Sequence, residues 1–61
     1  MQITKVYPNA VERSISVLSV TSTDDSNTIA VNTSEDGQMM VCRHDSPEMW
    51  QQLQALGLVP A

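Results

Sequence analysis

The apolar residues of this chain repeat with one period up to Cys42 and with another after Pro47, and that single change limits it to a set of strands followed by one helix. Met49, Trp50, Leu53 and Leu56 fall three and four residues apart, the spacing that gathers side chains on one helical face. Pro47 suits the first helical position with Ser46 as N-cap, and Asp45 with Glu48 three residues on forms a competing capping box. Past the stripe, Gly57 can take the left-handed conformation that ends a helix, Leu58 can fold back on Leu53, and Pro60 forbids continuation. The spacing predicts a helix over 47–56.

Before the change of period the chain is rich in β-branched residues interrupted by turn formers. Residues 2–7 read as a first strand ended by Pro8-Asn9, since proline cannot donate to a ladder. Residues 13–21 form a second strand in which Ile15 and Val17 share one face and Leu18 and Val20 the other. The apolar phase therefore switches sides between Val17 and Leu18, through a β-bulge or because both faces of the strand are buried. The polar run from Thr21 to Asn27 is a loop, 28–33 a third strand, Ser34-Glu35-Asp36-Gly37 a hairpin turn and 38–43 a fourth strand. The expected fold is a single α+β domain over residues 1–61, a small antiparallel sheet of about four strands with one C-terminal helix on one face.

Length narrows the function classes. A chain of 61 residues buries about 60% of the surface its unfolded form exposes, which leaves little stability to spare for a catalytic cleft. Seven carboxylates against three basic residues give a net charge of −4 with His44 neutral, the wrong sign for a protein held to nucleic acid by phosphate contacts. The single cysteine cannot form an internal disulfide, and no long apolar run marks a signal peptide or a membrane span, so the expected compartment is the cytoplasm.

Threading the chain through a meander locates the charge. The loop after the second strand, with Asp24 and Asp25, and the helix start, with Asp45 and Glu48, fall at one end of the sheet. Glu35 and Asp36 fall in the hairpin at the other end, near Glu12. Carboxylates displayed along a face can stand in for phosphates and occupy a basic groove, with binding that weakens as salt rises; acidic loops also serve solubility alone. One short helix covers only one sheet face. Leu18, Val20, Met40 and Cys42 make one apolar set and Ile15, Val17, Ile29, Val31, Met39 and Val41 the second, so the face left bare invites a homodimer or a docked partner, unless a bulge shifts the phase and leaves only one apolar face.

Chemistry-bearing side chains are sparse. Cys42 and His44 lie two apart on one strand face beside Asp45, but no glycine loop is available to build an oxyanion site, so Cys42 reads as structural. A zinc site would need two copies of the chain, and Asp24, Asp25 and Asp45 lack calcium-loop spacing, so neither a metal nor a cofactor is expected. Trp50 falls on the helix stripe and reads as core.

In size, acidity and strand-rich build the chain resembles the small inhibitor proteins that phages encode, anti-CRISPR proteins among them, through Thr21–Asn27, Ser34–Gly37 and His44–Glu48. The resemblance implies a non-enzymatic inhibitor acting in a bacterial host cell, without direct nucleic-acid or membrane contact. Its partner would be a protein with a basic nucleic-acid-binding groove, a CRISPR effector for example, and DNA access would be blocked. Asp24, Asp25, Asp45 and Glu48 would form the main contact patch, with Glu35 and Asp36 second. The alternative is a small assembly module that homo-oligomerises through the apolar sheet face.

Overall fold

The computed structural model describes residues 1–60. It contains four strands, β1 (Gln2–Val6), β2 (Glu12–Ser22), β3 (Thr28–Thr33) and β4 (Gln38–Cys42), and one helix, α1 (Pro47–Ala55). Each strand pairs antiparallel with the next, in the order β1-β2-β3-β4, so the chain has the α+β architecture its periodicity predicts. The first strand stops at Val6 because Tyr7 turns: its N–H donates to the Val11 carbonyl at 2.9 Å, and Ala10 closes the connection at φ 64°. That left-handed conformation is unfavourable for a residue with a Cβ.

β2 is long because it serves two partners. Residues 12–16 pair with β1 and residues 17–22 with β3, and the register slips between Val17 and Ser19. Leu18 is the extra residue of a β-bulge, 67% exposed, and past it Val20 pairs with Val31 and joins the face that Ile15 and Val17 already occupy. A bulge bends its strand. The sheet curls into a half-barrel, and α1 spans it by contacting both edge strands, β1 and β4.

The bulge corrects the expected second apolar face. Val20 packs inward, leaving Leu18 and Met40 exposed on the convex side. Between them runs a polar ladder in which the Asn32 amide donates to Ser19 Oγ at 2.9 Å and the Gln38 amide donates to Asn32 Oδ1 at 3.3 Å. Leu18, Val20, Met40 and Cys42 therefore do not form a face. The register also moves Glu12 away from the hairpin, since Val17 and not Glu12 lies opposite Thr33.

The concave side holds the core. Ile3, Ile15, Val31, Val41 and Leu53 are its largest fully buried side chains, with Trp50 at 4% exposure packed among them. Leu53 and Trp50 bring α1 into it through the stripe visible in the sequence. Ser46 is the N-cap position and Pro47 opens the helix, but the Ser46 side chain makes no capping bond. The helix ends in a complete Schellman motif: Leu58 N–H donates to the Leu53 carbonyl and Gly57 N–H to the Gln54 carbonyl, both at 2.9 Å, with Gly57 at φ 76°. Among the described residues no helix is long and apolar enough to cross a membrane.

Candidate functional site

The six carboxylates proposed for partner contact divide into those engaged by the fold and those free of it. Glu35 is engaged. At the point where β2 passes from β1 to β3, the Ser16 N–H donates to the Glu35 carboxylate (3.0 Å to Oε1 and 3.3 Å to Oε2), and Ser34 Oγ donates to Oε1 at 2.9 Å. The Glu35 side chain thus continues the pairing of β3 with β2 beyond the end of the ladder. These bonds favour the charged form, with Ser16 contributing most, and hold the Glu35 pKa below the ordinary carboxylate value.

Asp36 is held in the same hairpin. Its N–H donates to Thr33 Oγ1 at 3.0 Å, and its carboxylate accepts the Tyr7 hydroxyl at 2.9 Å. That bond, followed by desolvation and the Asp36 charge, raises the phenol pKa of Tyr7. Lys5 Nζ stands 4.8 Å and the Arg13 guanidinium 5.5 Å from the centre of the Tyr7 ring. Two of the three basic residues of the chain therefore gather on one aromatic at the hairpin. Sequence reasoning did not find this cluster. Lys5, Tyr7 and Arg13 share a face by strand alternation, but their meeting with Asp36 needs the curl of the sheet.

In the β2–β3 loop Asp25 is also engaged. Its carboxylate accepts the Asn27 N–H at 2.9 Å and the Thr28 hydroxyl at 3.0 Å, and these bonds, Asn27 first, lower its pKa. A local side-chain bond two residues on is how aspartate stabilises a turn. Asp24 is exposed and makes no hydrogen bond through its carboxylate among the described residues. Asp45 and Glu48 are likewise exposed and without such a bond, and together they rim a shallow groove with Thr4, Val6, Ser46 and Met49. Asp25 borders a different groove, beside Trp50, Leu58 and Val59. The helix start thus joins Asp45 to Glu48, while Asp25 turns toward the tail that follows the helix.

Cys42 is half-buried and free, and His44 is exposed. Among the described residues no three His, Cys, Asp or Glu side chains gather where they could hold a metal ion. Trp50 is a core residue with one polar debt, an Nε1 that is buried without a hydrogen-bond partner, and the Arg43 guanidinium lies 5.7 Å from its ring centre. What the surface offers chemically is carboxylate acceptors in two settings, fixed ones at the hairpin and in the β2–β3 loop and free ones at Asp24 and the helix start. No family model matches the chain, and neither a curated protein nor a solved structure matches it.

Proposed function

We propose that this protein is a non-enzymatic acidic inhibitor or interaction protein that occupies the basic nucleic-acid-binding groove of a protein partner, a CRISPR effector among the possible targets, and blocks DNA access with carboxylates in place of phosphates. The observation that carries the reading is the freedom of Asp24, Asp45 and Glu48, exposed carboxylates with no intramolecular hydrogen bond among the described residues. A carboxylate already bonded within its own fold has less to offer an arginine or lysine than a free one. On this ground Asp24, Asp45 and Glu48 take precedence as the contact patch, with Asp25, Glu35 and Asp36 contributing charge at longer range. The net charge of −4 adds the attraction that steers a basic partner toward the molecule.

The test is capture of partners from a bacterial lysate at low and high salt, with duplex DNA as competitor and the captured proteins identified. The expected result is a nucleic-acid-binding protein that salt and DNA both release and that the triple variant D24K/D45K/E48K no longer captures. A partner held equally well by that variant, or indifferent to salt and DNA, overturns the reading.

A further inference from the structure

The two edges of the half-barrel are finished differently. β1 is covered at its middle: the Gln52 carboxamide of α1 accepts the Thr4 N–H at 2.7 Å and donates to the Thr4 carbonyl at 2.9 Å, as a neighbouring strand would. β4 has no such cover. Thr33 N–H bonds the Gly37 carbonyl at one end of the β3–β4 ladder and Arg43 N–H bonds the Asn27 carbonyl at the other. The odd-numbered residues of β4 therefore bond β3, and the main chains of Gln38, Met40 and Cys42 point outward. The Cys42 carbonyl accepts Ser46 N–H at 2.9 Å, whereas the outward groups of Gln38 and Met40 have no partner among the described residues.

Natural sheets blunt such an edge with lysine, proline or a bulge. β4, Gln38-Met39-Met40-Val41-Cys42, has none of these, and Met40 is 60% exposed. We propose that β4 is a dimerisation edge whose occupant is β4 of a second copy, paired antiparallel about a two-fold axis at Met40. In that register Met40 faces Met40, and Gln38 faces Cys42, so the outward N–H groups of all three residues find carbonyls. The charges also fit. Arg43 of one copy falls opposite Gly37 of the other, so each end of the shared ladder sets one cation beside the hairpin of the mate that carries Glu35 and Asp36. The uncharged strand keeps the carboxylates of two −4 molecules off the pairing line itself.

This inference is independent of the acidic-inhibitor reading, and salt separates them: screening weakens capture of a basic partner but relieves repulsion between two acidic copies. Sedimentation equilibrium over a range of concentrations should give a reversible dimer that does not dissociate as salt rises. Met40→Pro removes the central N–H where the monomer does not use it, and Met40→Lys places a charge on the edge. Each should raise the dissociation constant about tenfold or more, the loss of one or two hydrogen bonds, with far-UV circular dichroism unchanged. Leu18→Ser, on the convex side away from β4, should leave the dimer intact. A wild-type protein that stays monomeric at its highest soluble concentration overturns the proposal. So does a dimer that survives Met40→Lys, which decides the matter even if Met40→Pro fails to fold.

Discussion

Glu35 is the residue whose role changes most once its neighbours are known. By sequence it is one of seven carboxylates in an acidic protein; in the fold it receives the Ser16 N–H where two halves of the sheet meet. Glu35 and Asp25 both titrate below their ordinary range, so in acid the folded chain binds fewer protons than the unfolded chain and stability rises with pH. Their contribution is present above the ordinary carboxylate pKa and is lost as pH falls through the lower, folded value. Tyr7 has the opposite sign. Its raised pKa contributes stability below the ordinary value of 10.0 that is lost as pH climbs through the folded value. Urea unfolding followed across pH should therefore show a shallower acid limb for Glu35→Gln than for the natural chain. Identical acid limbs in the two proteins would remove Glu35 from this account.

Among the elements, β2 decides the shape. Its eleven residues are too many for one hairpin partner, and the insertion of Leu18 lets the first half face β1 and the second half β3 while one side stays apolar. Removing that residue reinstates strict alternation, so either Ile15 and Val17 or Val20 must turn to solvent. Deletion of Leu18 should abolish the cooperative thermal transition, whereas Leu18→Ser, which keeps the residue count and alters only an exposed side chain, should stay within about 0.5 kcal/mol of the natural chain. Circular dichroism melting of the two variants checks this. A deletion variant that melts as cooperatively as the parent means that the bulge is not what sets the face of β2.

The molecule as a whole rests on a small core closed by one helix. A chain of 61 residues has a stability of roughly 3–9 kcal/mol by the usual range per residue. Leu53 is fully buried and sits where α1, the sheet and the returning tail meet, with its carbonyl accepting Leu58 N–H. Leu53→Ala should cost about 2–5 kcal/mol, a large share of that stability. Trp50 fluorescence in a urea titration measures it, because the indole leaves the core on unfolding. A loss under about 1 kcal/mol would mean that the helix is not what closes the half-barrel.

The linear order of residues carried much of this architecture. Two apolar periods, the turn formers at Pro8-Asn9 and Ser34–Gly37, and the Gly57-Leu58 stop signal are local properties, and they determine four strands, one helix and a Schellman end without reference to any long-range contact. The phase slip at Leu18 was equally legible, but the sequence left open whether it meant a bulge or a doubly buried strand. Only long-range pairing could choose, because the side that Val20 faces depends on which residue of β3 it meets. The same holds for the acidic residues. Composition counts Asp24, Glu35 and Asp36 alike, and the fold separates them, since a carboxylate is free or engaged according to the N–H and O–H groups that distant segments bring to it.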